Sequence, residues 1–94
     1  MKFEWDPVKD RENQQKHGVS FDDAVLAWLD PWRVTRADRK HSGPTEQRYF
    51  LFGEVSGRVL TVRFSRRGEK VRIIGAGYWR EGRTIYEQAN AFRR

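Results

Sequence analysis

The chain contains no cysteine, which excludes both a disulfide framework and a zinc site built from thiolates. It has no apolar run long enough to cross a bilayer, and residues 1–6 lack the pattern of a signal peptide. Its two histidines, without cysteine, are a weak basis for a metal site. We therefore expect a cytoplasmic protein without a metal, a cofactor or a membrane contact.

Familiar enzyme motifs are missing as well. The chain has no glycine-rich loop that cradles phosphates, and residues 75–77 carry too little of a dinucleotide-binding fingerprint. No serine lies in a nucleophile elbow. Charged side chains are therefore the main candidates for function.

Positive charge is abundant and unevenly distributed. The 94 residues include 19 Lys or Arg and 13 Asp or Glu, which gives a net charge of +6. Residues 1–46 hold 8 basic and 9 acidic side chains, whereas residues 47–94 hold 11 and 4. A basic half favours a polyanionic partner, RNA or DNA first or an acidic protein. A basic protein without any nucleic-acid role stays open as the alternative.

The strongest structural pattern is a β-hairpin over residues 58–77. Both arms are rich in β-branched and aromatic residues, and Gly68 can take the positive φ that a tight turn needs. In the first arm Leu60, Val62 and Phe64 alternate with polar residues. One face of the hairpin is therefore predicted to be core, and the other to be polar and cationic.

Helices are predicted on both sides of this hairpin. Asp6 caps a polar helix that ends at Gly18, Ser20 caps an amphipathic helix, and a last helix follows the hairpin. The predicted helices span residues 7–17, 21–29 and 83–92, further strands span residues 2–5, 32–36 and 47–52, and residues 37–46 form a mobile polar loop. This order predicts one small α+β domain, residues 1–94, whose antiparallel sheet carries two N-terminal helices and one C-terminal helix on one face.

Arginines on the polar side of the sheet are the first candidates for a site. They are Arg48, Arg63 and Arg72, with Arg66 and Arg67 at the turn. Guanidinium suits phosphate because its fork matches two oxygens and it stays charged. It can also stabilise the charge that develops at phosphorus during strand cleavage. The alternative is that these side chains face solvent and pair with Glu54 or Glu69.

Candidates for proton transfer are few. Histidine is the side chain that titrates near neutral pH, and the chain has His17 and His41. His17 lies at a predicted helix C-terminus, where the helix dipole gives it a structural explanation. His41 and Glu46 are the first choices for acid and base, and Glu4 is a further carboxylate. Tyr78 is a candidate for stacking on bases.

Several segments together resemble the BrnT-type toxins of bacterial toxin–antitoxin modules. The most specific set is Trp-Asp-Pro at residues 5–7 followed by Lys-His-Gly-Val-Ser-Phe at residues 16–21. The other segments follow in the family's order at Ala24, residues 29–31 and 41–42, Glu46 with Arg48, and residues 57–60, 67–68, 72–74 and 86–87. The resemblance covers almost the whole chain.

This resemblance implies a RelE-like fold, a ribonuclease activity that arrests translation, and a cognate antitoxin. That antitoxin would be a BrnA-like protein with a ribbon-helix-helix part. The toxin would be held at operator DNA only through this antitoxin. By position, the family's site residues match Arg48, Arg67 and Arg72, and His17 and His41 are further matches to which the resemblance gives no role. Many members read Ser-Ala-Arg where this chain reads Gly-Ala-Gly at residues 75–77, and Arg80 is a candidate substitute for the missing arginine.

Three functional hypotheses follow. The first is a metal-independent endoribonuclease in which a ribose 2′-OH attacks the adjacent phosphorus. In it Arg63 and Arg72 offset the developing charge and Arg48 positions the strand. Further RNA contacts are expected from Arg66, Arg67, Lys70, Tyr78 and Arg80. The second hypothesis is a basic module that binds nucleic acid or an acidic protein without catalysis, and the third is a toxin that acts on a protein.

Overall fold

The computed structural model of the chain describes residues 1–93, so Arg94, the last residue of the predicted domain, lies outside them. The strands are β1 (Lys2–Glu4), β2 (Val34–Ala37), β3 (Arg48–Val55), β4 (Arg58–Arg67) and β5 (Lys70–Gly77). The helices are α1 (Pro7–His17), α2 (Phe21–Val25) and α3 (Arg80–Ala89), with 3₁₀ turns at Leu26–Leu29, Arg39–His41 and Ala91–Arg93. None of the helices in this part of the chain is long and apolar enough to span a membrane.

The five strands form one mixed sheet in the order β1-β5-β4-β3-β2. Strands β2 to β5 pair antiparallel, but β1 pairs parallel with β5, with Phe3 opposite Val71. The prediction of a purely antiparallel sheet is therefore wrong at this edge. A three-residue strand carries no local signal of its direction, which is decided by the distant strand it joins.

One face of the sheet carries the core. Leu60, Val62 and Phe64 of β4 are at most 1% exposed and pack with Phe21 of α2. This pattern confirms the core face that the alternation predicted. Gly68 takes a φ of 60° in the hairpin turn, also as predicted.

Helix α1 begins and ends where the sequence predicts. Asp6 Oδ1 accepts a hydrogen bond from the Val8 N–H at 2.9 Å, and Gly18 ends the helix with a φ of 68°. Beyond the short strand β1, the helix lies along the edge of β5, where the Asn13 carboxamide bonds to the backbone of Ala76. A polar helix is thereby fixed to the sheet through a hydrogen-bonded side chain.

The predicted amphipathic helix over residues 21–29 is shorter than expected. Helix α2 stops after five residues, and the 3₁₀ turn Leu26–Leu29 follows. Within this turn the ring of Trp28 meets the rings of Phe3 and Phe64, with centroids 4.9 and 5.1 Å apart. The tighter 3₁₀ geometry of this turn goes together with edge-to-face packing of Trp28 on residues far away in the chain. Hydrophobic periodicity cannot predict such contacts, so it did not predict the early end of the helix.

Helix α3 packs on the opposite face of the sheet from α2, so the predicted placement of all helices on one face is wrong. It begins at Arg80, three residues earlier than predicted. Gly82 lies against Phe52 and Thr61, whose side chains alternate with the core residues of β3 and β4. An apolar stripe shows that a helix packs on a sheet, but it does not show on which face.

The segment predicted as a mobile polar loop is held by polar contacts. The Asp38 N–H donates to the Arg48 carbonyl at 2.8 Å, and the Ser42 hydroxyl donates to the Asp38 carbonyl at 2.7 Å. The 3₁₀ turn Arg39–His41 lies between these contacts. The segment is therefore attached to the start of β3 without an apolar anchor.

A short hydrogen bond ties α3 to the residue after the first 3₁₀ turn. The Tyr86 hydroxyl donates to Asp30 Oδ2 at 2.6 Å, and Asp30 also accepts from the N–H groups of Glu54 and Trp32. Burial, and then the Asp30 carboxylate, raise the pKa of Tyr86 to about 12. Partial burial alone would raise the pKa of Asp30, but the accepted hydrogen bonds outweigh it and hold that pKa below its usual range.

The variant Tyr86→Phe is expected to lower the free energy of unfolding by about 1.5–3 kcal/mol at neutral pH, because a charged acceptor loses its donor. The ionised Asp30 contributes fully to the free energy of unfolding when the pH is above its ordinary pKa. This contribution is lost as the pH falls through the lowered pKa that Asp30 has in the folded protein. The contribution of Tyr86 is present below its ordinary pKa and is lost as the pH rises through about 12. The difference between variant and wild type should therefore shrink in acid and in strong alkali.

Urea denaturation at neutral and acidic pH measures this difference. Tyr49→Phe is the matched control, because the Tyr49 hydroxyl makes no hydrogen bond to any residue from 1 to 93. Equal destabilisation by the two variants would contradict the assigned role of Tyr86.

Candidate functional site

The strand register arranges the side chains of the face opposite the core in three cross-strand rows. The first row is Glu4, Arg72, Ser65 and Arg48; the second is Gly75, Arg63, Phe50 and Arg36; the third is Gly77, Thr61, Phe52 and Val34. Helix α3 and Trp79 cover part of the third row. The first two rows, which we call the arginine face, stay open and bring Arg48, Arg63 and Arg72 together.

Glu46 links Arg48 of this face to Arg67 at the end of β4. Its carboxylate accepts from Arg48 Nε at 3.0 Å and lies 3.5 Å from a terminal nitrogen of Arg67. The hydrogen bond from Arg48, aided by the charge of both guanidinium groups, lowers the pKa of Glu46. A carboxylate with a lowered pKa is a weak base, so this geometry favours Glu46 as a group that orients arginines.

A second carboxylate holds the other end of the first row. Glu4 lies 3.4 Å from a terminal nitrogen of Arg72 and 3.7 Å from the Lys70 ammonium. The arginines of the sheet are thus paired with Glu46 and Glu4, where the sequence suggested Glu54 or Glu69. Both pairs are partly exposed, so either glutamate can be displaced by a phosphate that offers two oxygens.

Between the two paired arginines lies a buried hydroxyl. Ser65 has no exposed surface, and among residues 1–93 its Oγ has no hydrogen-bond partner. It lines a cleft of about 200 Å³ with Arg48, Arg67, Arg72 and Lys9. The same cleft also contains the carboxylates of Asp6 and Glu46. Its four cations outnumber these two acids, so the cleft is suited to a phosphate group that displaces Glu46 from its arginines.

Arg63 occupies the centre of the face. A cleft of about 340 Å³ between α1 and the sheet is lined by Arg63, Arg48, His17, Lys9 and Lys16. In the described part of the chain, the Arg63 guanidinium forms no ion pair, unlike the guanidinium groups of Arg48 and Arg72. Its charge is therefore available to a bound anion.

The two histidines lie at opposite edges of the sheet, and of the two only His17 lines a cleft of the arginine face described above. His17 ends α1 beside β5 and its ring lies 5.1 Å from that of Trp79, in an edge-to-face arrangement. His41 lies beyond β2, and its Nδ1 is 2.9 Å from Oδ2 of Asp38, which is 5% exposed. Because the carboxylate only accepts, we assign the proton to Nδ1, which leaves Nε2 of His41 able to accept another.

The remaining predicted contacts lie apart from the arginine face. Arg66 points to the core side, where its guanidinium lies 5.3 Å from the centre of the Tyr49 ring. Tyr78 stacks under Arg58 at 4.1 Å, and Tyr78 and Arg80 line a third cleft of about 700 Å³, which shares Trp79 with the cleft that contains Arg63. The structure therefore does not bring Arg66, Tyr78 or Arg80 together with Arg63.

Sequence reasoning missed five residues of the site: Lys9, Lys16, Asp38, Ser65 and Trp79. The two lysines, seven positions apart in α1, share a helix face with Asn13 and His17, and that spacing was a readable signal. The roles of Asp38, Ser65 and Trp79 depend on distant contacts, and no local pattern indicates them.

Comparison with known proteins adds an independent result. The family model described as a ribonuclease toxin, BrnT, of type II toxin–antitoxin systems matches residues 5–82, which is most of the chain and includes Arg48, Arg63 and Arg72. A search of the curated proteins found no match. Among residues 1–93, no group of three or more His, Asp or Glu side chains is placed to hold a metal ion.

Proposed function

The chain belongs to the BrnT family of ribonuclease toxins of type II toxin–antitoxin systems, and on that premise we propose that it is a metal-independent endoribonuclease that cleaves RNA on the arginine face. The observation that carries this proposal is the convergence of Arg48, Arg63 and Arg72 on one open face, with Arg63 free of an ion pair in the described residues. Such a face can bind the RNA backbone and the phosphate to be cleaved.

The proposed reaction uses the RNA's own nucleophile. A base removes the proton of a ribose 2′-OH, the O2′–P bond forms, and the P–O5′ bond breaks while an acid protonates the departing oxygen. The products carry a 2′,3′-cyclic phosphate and a 5′-OH. Arg63 and Arg72 offset the charge of the pentacoordinate phosphorus, and Arg48 and Arg67, oriented by Glu46, hold the strand.

We propose His41 as the base. Asp38 fixes the tautomer and the orientation of the His41 ring, as a carboxylate beside a catalytic imidazole does. His17 lies at the opposite edge of the sheet and lines the cleft that contains Arg63, so it is the alternative to His41 and not its partner at the same phosphorus. This assignment replaces Glu46, whose lowered pKa and two arginine partners make it a poor proton acceptor.

The wider role follows from the family. We propose that residues 1–94 form one RelE-like toxin domain that acts in the cytoplasm and arrests translation. A BrnA-like antitoxin with a ribbon-helix-helix part would neutralise it and carry it to operator DNA. An acidic segment of that antitoxin lying across the arginine face would pair with Arg63 and compete directly with RNA.

Incubation of the purified protein with a mixed RNA, with and without EDTA, tests the activity. We expect cleavage that continues in the presence of EDTA and leaves cyclic phosphate ends. A single 2′-deoxy nucleotide at the cleaved position should block cleavage of that bond, because it removes the nucleophile. The variants Arg63→Ala and Arg72→Ala should each cleave about 10²- to 10³-fold more slowly, as expected when one donor to a developing charge is lost.

Arg11→Ala is the matched control. Arg11 is exposed on α1 and lines neither cleft of the arginine face, yet its loss changes the net charge equally. A comparable loss in Arg11→Ala would assign the effect to overall charge. RNA that is retarded in a gel but never shortened would instead indicate a binding module without catalysis.

A further inference from the structure

A small aromatic slot adjoins the arginine face. It lies between α3 and the sheet and is lined by Phe50, Phe52, Thr61, Trp79 and Ile85, together with Arg36, Glu81 and Gly82. Its volume is about 210 Å³, below the ~300–1,000 Å³ of pockets for drug-sized ligands. The slot therefore fits one flat ring system.

Two glycines create the slot. A Cβ at Gly77 would collide with the Trp79 ring, and a Cβ at Gly82 would collide with Thr61 Oγ1 and come within 3.0 Å of the Phe52 ring. Gly77 thus lets the Trp79 ring lie directly on β5 and form an aromatic surface beside the arginine face.

The slot is continuous with the site for phosphate. Trp79 also lines the cleft that contains Arg63 and Arg48, so its ring belongs to both. The register sets Phe50 directly opposite Arg63 on one side and Arg36 on the other. An aromatic wall flanked by two cations is the pattern by which single-stranded nucleic acid is held, with bases stacked and phosphates paired.

One polar side chain of the slot is buried beneath α3. Thr61 is 4% exposed, its hydroxyl finds no hydrogen-bond partner among residues 1–93, and Gly82 lies directly over it. The open part of the slot is therefore predominantly apolar. Such a surface suits the flat face of a nucleobase.

We infer that this slot holds one unpaired nucleobase of the RNA whose phosphates lie on Arg63 and its neighbours. This inference rests on the proposed ribonuclease function and adds a specificity site to it. The base stacks against Trp79 and Phe50 and lies next to the bond that is cleaved, so the slot positions the RNA. The residues of the slot do not take part in the proton transfers.

The test uses a short single-stranded RNA that is 2′-O-methylated throughout, which cannot be cleaved, and a series in which each base in turn is replaced by an abasic residue. In the wild-type protein, one position of the series should weaken binding about 10- to 100-fold, the value of one stacked base. In Ile85→Trp, which fills the slot, the 2′-O-methylated RNA with all its bases should bind about 10- to 100-fold more weakly than to the wild type. Replacing any one base by an abasic residue should then weaken binding no further. Thr84→Trp is the control, because Thr84 is exposed on the same helix and does not line the slot; it should behave as the wild type.

Gly77→Ala provides a second variant, because its added Cβ displaces the Trp79 ring without filling the slot. It should reproduce the loss seen in Ile85→Trp. Equal affinity for every member of the abasic series would overturn the inference and leave arginine-dependent cleavage intact. If Arg63→Ala binds every RNA of the abasic series more weakly while the slot variants bind them normally, the result supports the proposed function and contradicts the slot. If Ile85→Trp binds every RNA normally but escapes the cognate antitoxin, the slot belongs to the antitoxin and the inference is wrong.

Discussion

His41→Asn is expected to cleave RNA about 10²- to 10⁴-fold more slowly than the wild type, with little change in RNA affinity. The reason is that His41 is the only imidazole of the described residues whose ring nitrogen is held by a buried carboxylate, at 2.9 Å from Asp38. That contact leaves the other ring nitrogen to take the 2′-OH proton. Single-turnover cleavage rates measured at saturating protein separate this loss of rate from a loss of binding.

Asp38→Asn gives a second view of the same contact. In the proposed mechanism Asp38 acts through His41 as a positioning residue, so its loss should lower the rate and alter the pH profile of cleavage without weakening RNA binding. Lys40→Ala is the control on the same 3₁₀ turn, because it removes a cation but no proton-transfer group. A His41→Asn protein that cleaves within threefold of the wild-type rate would assign the base elsewhere, with His17 the next residue to replace.

Asn13→Ala is expected to lower the free energy of unfolding by about 3 kcal/mol, the largest stability effect we predict. Asn13 Nδ2 donates to the carbonyl groups of Val19 and Ala76 at 2.9 Å each, and its Oδ1 accepts from the Ala76 N–H at 3.2 Å. Asn13 is 8% exposed, so alanine would leave three backbone groups unpaired away from water. Thermal or urea unfolding measures the loss, which corresponds to a fall in Tm of very roughly 12–24 °C.

Gln15→Ala is the matched control, because Gln15 is exposed on the same helix and makes no side-chain hydrogen bond within residues 1–93. A stability loss below about 1 kcal/mol in Asn13→Ala would show that water replaces the carboxamide at the edge of β5. Because α1 also carries Lys16 and His17 into the cleft with Arg63, the destabilised variant should bind RNA more weakly as well.

Local features of this protein followed from the sequence because their causes lie within a few residues. Asp6 and Gly18 bound α1 through a cap and a positive φ that only neighbouring atoms decide. The alternation of Leu60, Val62 and Phe64 identified the core side of β4 before any contact was known. The family, too, could be identified from short motifs spread along the chain, and its model matches residues 5–82.

Other features were decided by residues far apart in the chain. The parallel pairing of β1 depends on β5, about 70 residues away, and the face that α3 covers depends on how Gly82 fits against Phe52 and Thr61. The 3₁₀ turn Leu26–Leu29 places Trp28 against aromatic rings of the edge strand β1 and the central strand β4. Periodicity reports that a side chain is buried, but it does not report what buries it.

The candidate site divides in the same way. The sequence by itself determined that the protein is basic, that Arg48, Arg63 and Arg72 lie on the polar side of neighbouring strands, and which family it resembles. Only the tertiary structure decided that Arg63 is left without a carboxylate in the described residues, that Glu46 and Glu4 take the other arginines, and that Trp79 lies on Gly77. The physical reason is that the type and alternation of side chains are local properties of the chain, whereas ion pairs, clefts and close approaches arise from strand register and helix placement.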